Sequence, residues 1–165
     1  MADALEQLYQ QVILDHSRER HGAGELDPYD AESFQVNPTC GDQVTLRVRL
    51  AHGEGGPRLD AVGWVGQGCS ISQASLSVLT DLVEGRTIHE VDTLNETFRE
   101  LMHSRGAELT EEKQDSLGDA SAFTGVAKYP ARIKCALLGW MALRDALAHA
   151  LTSEPATGTH EEDEG

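Results

Sequence analysis

Apolar residues in this chain follow two different periods, and where one gives way to the other marks the elements. Leu5, Leu8, Tyr9, Val12 and Ile13 recur three and four positions apart, which predicts an amphipathic helix over residues 3–17. Gly22, Gly24 and Pro28 then break the chain into a loop, and Ser33 to Val36 reads as a short strand closed by Pro38. From there the period is two. Val44, Leu46, Val48 and Leu50 alternate with Gln43, Thr45, Arg47 and Arg49, as in a strand with one buried and one wet face. His52-Gly53-Glu54-Gly55-Gly56-Pro57 is a turn, and Leu59 to Val65 returns as the second arm of a hairpin.

Helical spacing resumes at Ile71, Ala74, Ser75, Val78, Leu79 and Leu82, predicting a helix from Ser70 to Val83 that Gly85 stops. A further helix is expected near Asp92 to His103, carried by Leu94, Phe98, Leu101 and Met102. Arg105 to Gly125 is polar and reads as a loop. The last helix opens at Pro130, whose missing N–H costs nothing at a first helical position, and continues through Ala136, Trp140, Leu143 and Leu147. Apolar periodicity ends at Thr152, so residues 152–165 are expected to form an acidic disordered tail. The order of elements predicts one α+β domain over residues 1–151: a small antiparallel β-sheet with helices packed on one face.

Charge narrows the partners. The formal net charge of −15 argues against nucleic acid and anionic membrane, both of which call for a basic patch. It suits a partner with a basic surface, or simply solubility. Met1 to Glu6 has neither the basic start nor the apolar run of a signal peptide, and no stretch approaches the ~18 apolar residues of a membrane span. The three cysteines are odd in number and far apart, which reads as metal-binding or reactive thiols in a cytoplasmic protein, not as a disulfide framework.

Each cysteine falls near the end of an element. Cys40 lies in Asn37-Pro38-Thr39-Cys40-Gly41-Asp42, just before the strongest strand. Cys69 lies in Gly66-Gln67-Gly68-Cys69-Ser70, at a helix start where the dipole favours thiolate. Cys135 lies one turn into the last helix. Three thiolates and the Asp42 carboxylate would make four donors, which suits tetrahedral zinc. Spacing alone leaves a second reading open, in which the three are small buried hydrophobes.

Cys40-Gly41-Asp42, Gly66-Gln67-Gly68-Cys69-Ser70-Ile71-Ser72 and Arg132-Ile133-Lys134-Cys135 resemble the three signature blocks of the SufU branch of the IscU/NifU-N family, and Tyr9 to His16 resembles its first helix. The resemblance runs from Leu5 to about Leu151. It implies an IscU-like α+β fold and a metal site formed by Cys40, Asp42, Cys69 and Cys135. Two features point to the SufU branch. IscU-type scaffolds carry His immediately before the third cysteine, where this chain has Lys134, an ammonium without a lone pair. Their second and third cysteines are also closer together, whereas 66 positions separate Cys69 from Cys135 here, with an apparent insertion over residues 91–117. One departure stands at the first helix: relatives follow Asp-His with an aromatic and a nearby proline, while this chain reads Asp15-His16-Ser17-Arg18-Glu19-Arg20.

The resemblance implies a zinc-dependent sulfurtransferase that takes persulfide sulfur from a SufS-type cysteine desulfurase and passes it toward a downstream iron–sulfur scaffold of the SUF system. It makes Cys40 the acceptor, with a histidine of the desulfurase replacing it on zinc. The alternative is a scaffold that assembles a [2Fe–2S] cluster on the same ligands. Arg132 is three residues before Cys135, on the same helix face, where it could steady a persulfide anion or the Asp42 carboxylate. Lys134 is read as a surface residue, and His16 as a cap or partner contact, not a ligand. Asp15, His16 and Ser17 are adjacent on a helix and cannot face one another as a triad.

Overall fold

The structure, a computed structural model, describes residues 4–39 and 41–152. Cys40 and residues 153–165, including all but the first residue of the expected acidic tail, lie outside the described residues. A three-stranded antiparallel sheet in the order β1-β2-β3 is built from Ala31–Asn37, Asp42–Gly53 and Gly56–Gln67. The alternation in β2 works as its sequence requires: Val44, Leu46 and Val48 are fully buried, and Thr45, Arg47 and Arg49 face outward. The β2–β3 hairpin closes on Glu54-Gly55, with Gly53 opposite Gly56. Gly55 and Gly56 both hold positive φ, the conformation that a tight hairpin demands and that side chains resist.

Five α-helices surround one face of this sheet among the described residues: α1 (Ala4–Glu19), α2 (Ser70–Val83), α3 (Ile88–Met102), α4 (Glu111–Leu117) and α5 (Pro130–Thr152). The expected α+β fold is therefore the observed one. α5 lies across β1 and β2 and packs against α2, where Gly139 lets the two helices approach so closely that an added Cβ would meet the Leu76 side chain at 2.5 Å. Phe98 of α3 stacks on Trp140 of α5 at 4.7 Å between ring centroids and meets Phe123 edge-on at 5.7 Å, so one aromatic cluster joins three elements.

One expectation needs correction. Arg105–Gly125 is not a polar loop. Thr110 caps α4 through its side chain, Glu111 and Glu112 favour the helix dipole in the first turn, and a 3-10 helix over Gly118–Lys128 follows. This segment enters the core on Leu117, Ala120 and Phe123, all fully buried, and small residues supply most of the rest of its buried face. α5 runs through Leu147 to Thr152.

α3 starts four residues earlier than the apolar spacing implies, because Thr87 and Glu90 form a capping box. The Thr87 hydroxyl accepts the Glu90 amide at 3.1 Å, and the Glu90 carboxylate accepts the Thr87 amide at 3.0 Å. The latter bond, chiefly, holds the Glu90 carboxyl below its ordinary value. Thr87→Ala should cost about 1 kcal/mol, lowering the melting temperature by about 2–4 °C for a chain of this size. Thermal denaturation followed by circular dichroism checks this; an unchanged transition would show that tertiary packing alone sets the start of α3.

Candidate metal centre

The first two donors come from places where the backbone turns sharply. Asn37 and Asp42 are paired at the mouth of the β1–β2 hairpin, and the amide of Gly41 donates to the Asn37 carbonyl at 2.8 Å. Gly41 has φ +77°, which turns the chain so that Asp42 enters β2 with its carboxylate inward. Asp42 is fully buried. Its Oδ1 accepts the Cys69 amide at 2.9 Å, and its Oδ2 is 3.8 Å from Cys69 Sγ. Cys69 occupies the N-cap of α2, where its side chain does not cap the helix but turns to Asp42.

The third donor comes from α5. Cys135 is buried, with its Sγ 3.6 Å from the Ala131 carbonyl and 4.0 Å from the Asn37 side-chain amide. The sulfurs of Cys69 and Cys135 and a carboxylate oxygen of Asp42 all lie within 4.8 Å of one another. Tetrahedral zinc, with bonds of about 2.3 Å to sulfur and about 2.0–2.2 Å to oxygen, sets its donors about 3.5–3.8 Å apart. The donor set fits that ion. Burial argues the same way: Asp42 takes part in none of the ion pairs among the described residues, although a buried carboxylate calls for a compensating cation.

Cys69 and Cys135 line a groove of about 710 Å³, bounded by α1, α2, the 3-10 helix and the start of α5. Tyr9, Ile13 and Tyr129 give it apolar walls, and Arg132 stands on its edge. Arg132 is exposed with its guanidinium over the Tyr129 ring at 5.1 Å; among the described residues it makes no ion pair with Asp42. Lys134 is exposed, as its sequence position suggested.

His16 is placed differently from expectation. It is buried and so is neither an exposed partner contact nor a helix cap. Its Nδ1 lies 2.8 Å from the Ser77 hydroxyl and its Nε2 2.9 Å from the Asp119 carboxylate. A carboxylate only accepts, so Nε2 carries the hydrogen in that pair, and the Ser77 oxygen also accepts the His21 amide at 2.9 Å. Serine, histidine and aspartate are thus in line, but Ser77 is completely buried and cannot reach a substrate. The neighbouring His21 is bound to Asp81 at 2.7 Å and Glu19 at 3.1 Å, so this cluster is a hydrogen-bonded clasp joining α1, α2 and the 3-10 helix. Sequence reading missed it because its members come from three distant segments.

Residues 8–136 match the family model of the NifU-like N-terminal domain, and the chain belongs to that family. Among its relatives, the zinc-dependent sulfurtransferase SufU of Bacillus subtilis strain 168 is 38% identical over 87% of this chain and 92% of its own length. The iron–sulfur cluster assembly scaffold protein IscU of Streptococcus pyogenes serotype M1 is 37% identical over 93% and 91%. A crystal structure from Fervidobacterium islandicum AW-1, described as a candidate cluster assembly scaffold for the SUF system, is 30% identical with a TM-score of 0.69, covering 86% of this chain and 98% of that one.

Gly68 is the residue whose side chain the centre cannot tolerate. A Cβ there would collide with Asp42 Oδ1 and lie 2.6 Å from the Ser72 hydroxyl. Gly68→Ala should push the carboxylate away from Cys69 and reduce metal content severalfold with secondary structure retained. Metal analysis of the purified variant beside its far-ultraviolet spectrum checks this, and full metal content would show that the Asp42 position is not critical.

Proposed function

We propose that this protein is a zinc-dependent sulfur acceptor in iron–sulfur cluster assembly, loaded by a SufS-type cysteine desulfurase. The observation that carries the reading is the approach of a buried carboxylate, which enters no ion pair among the described residues, to two cysteine sulfurs that line a groove. The similarity to the Bacillus sulfurtransferase supports it. So does Lys134, which cannot serve as a nitrogen ligand beside Cys135.

Asp42, Cys69 and Cys135 would hold the ion together with Cys40. Zinc, when bound, supplies a borderline-soft Lewis acid that keeps thiols ionised at neutral pH. In the transfer the Cys40 thiolate attacks the outer sulfur of the desulfurase persulfide. A sulfur–sulfur bond to Cys40 forms as the donor's own sulfur–sulfur bond breaks, and the desulfurase cysteine leaves as a thiolate. The exchange needs no oxidant or reductant. Arg132, exposed on the groove edge, attracts the anionic persulfide, and the apolar walls exclude water from it. The acceptor would then deliver sulfur to a downstream scaffold.

A second reading has its own support. The Streptococcus relative, equally similar, is named a cluster assembly scaffold, and the same donors could build a [2Fe–2S] cluster as cargo. Anaerobic reconstitution with iron and sulfide separates the two: a stable visible chromophore matching one cluster per chain favours the scaffold, and retention of zinc without colour favours the acceptor.

The acceptor reading predicts one zinc per chain, lost in Cys135→Ser. Intact mass after mixing with desulfurase and cysteine should rise by one sulfur atom, and Cys40→Ser should abolish that gain. Sulfur loading that persists in Cys40→Ser would assign the acceptor role elsewhere. Asp42→Cys should resist chelators better than the parent, because sulfur donates to zinc more strongly than oxygen. It should also form persulfide on Cys40 more slowly, as read by peptide mass mapping; tighter zinc with an unchanged rate would sink the idea that a labile oxygen donor is needed.

A further inference from the structure

Among the described residues, two groups of histidine, cysteine or acidic side chains bring three ligand atoms within 4.8 Å of one another. One is the cysteine centre. The other is His16, His21 and Asp81, part of the clasp between α1 and α2. Asp81 stands four residues beyond Ser77 on α2, and so on the same helix face. The rings of His16 and His21 meet edge to face, with 5.2 Å between centroids.

Three observations point to a cation. First, each ring turns one nitrogen to an outer carboxylate: His16 Nε2 to Asp119 at 2.9 Å, and His21 Nε2 to Glu19 at 3.1 Å. Metal-ligating histidines are oriented in this way, with one ring N–H held by a carboxylate and the other nitrogen left for the ion. The other nitrogen, Nδ1 in both rings, lies at α2: 2.8 Å from Ser77 Oγ for His16 and 2.7 Å from Asp81 Oδ2 for His21. Second, three carboxylates, Glu19, Asp81 and Asp119, face the two imidazoles, and no lysine or arginine pairs with any of them among the described residues. Third, the group has both a fixed and an open side. His16 is buried, whereas the side chains of His21 and Asp81 are 39% and 50% exposed, so an ion can enter from solvent.

We propose that His16, His21 and Asp81 bind a divalent transition-metal ion such as zinc, through Nδ1 of each ring and the Asp81 carboxylate, with water in the remaining positions. Two imidazoles and one carboxylate favour such an ion over magnesium or calcium, which prefer oxygen alone. Zinc bonds of about 2.0–2.2 Å set such donors about 3.0–3.5 Å apart, which rotation of the two half-exposed side chains supplies. The ion replaces the hydrogen shared by His21 Nδ1 and Asp81, which leaves as a proton. Asp119 and Glu19 keep the outer N–H groups. With three protein ligands and an open side, this ion exchanges more readily than one in the four-donor centre, so it is lost on purification and restored by titration. The site is independent of the sulfur chemistry. Its effect on the fold is to fasten α1, whose Tyr9 and Ile13 wall the cysteine groove, to α2.

The test is calorimetric titration of zinc chloride into the full chain already carrying its first zinc. A further equivalent is expected to bind with a Kd below about 100 μM, unchanged by about 10 mM magnesium. His21→Ala and Asp81→Asn, both at half-exposed positions, should keep the far-ultraviolet spectrum and weaken this binding at least about tenfold. Glu19→Ala, which removes only an outer partner of His21, should weaken it severalfold. Cys135→Ser should leave this equivalent in place, which separates its fate from that of the cysteine centre. Three results overturn the proposal: no further equivalent, equal binding in the His21 and Asp81 variants, or displacement by magnesium. The second would assign the ion to other surface histidines, and the third would reduce the site to a patch of acids.

Discussion

The Asp42 carboxylate and the Cys69 amide are held 2.9 Å apart, and the rest of the centre is arranged around that bond. It joins the first residue of β2 to the cap of α2, so the hairpin and the helix cannot shift independently. A buried carboxylate is costly unless its charge is matched. The amide of Cys69 meets part of that need, and the sulfurs of Cys69 and Cys135 stand within 4.8 Å of the carboxylate. Gly68 is the steric condition for this arrangement, because any side chain there would occupy the carboxylate's place.

Much of this was readable from the chain. β2 declared itself because its two faces meet different solvents, and α2 because its apolar stripe is continuous. The candidate donors were legible by type: Asp42, Cys69 and Cys135 stand out in the sequence, and the fold brings those three together. The position of Cys40 is outside the described residues, so its part in the site rests on sequence. Apolar spacing failed where helices are built by other means. α3 begins on a polar capping box, and the 3-10 segment buries small residues that no hydropathy period marks. The clasp around His16 was invisible for another reason: its partners are 61 and 103 residues away, and local patterns carry no information at that range.

That clasp bears on the cysteine groove. α1 supplies one of its walls through Tyr9 and Ile13, and α1 is positioned by hydrogen bonds from His16, a buried one to α2 and a part-buried one to the 3-10 helix. Substitutions at Ser77 or Asp119 would therefore act on the groove from beneath, by loosening a wall without touching a donor. The polar network gives α1 one orientation where an apolar contact would tolerate several.

Because the donors are dispersed along the chain, the centre has a history during synthesis. Asp42 and Cys69 emerge from the ribosome early, but 66 further residues must follow before Cys135 exists. At about 5–20 residues per second that interval is roughly 3–13 s. Throughout it, Cys40 and Cys69 are thiols without the third sulfur, in a chain whose closing helix has not yet been made. Thiols exposed in this way are open to oxidation. The interval ends only when α5 packs on the sheet and brings Cys135 to Asp42 and Cys69.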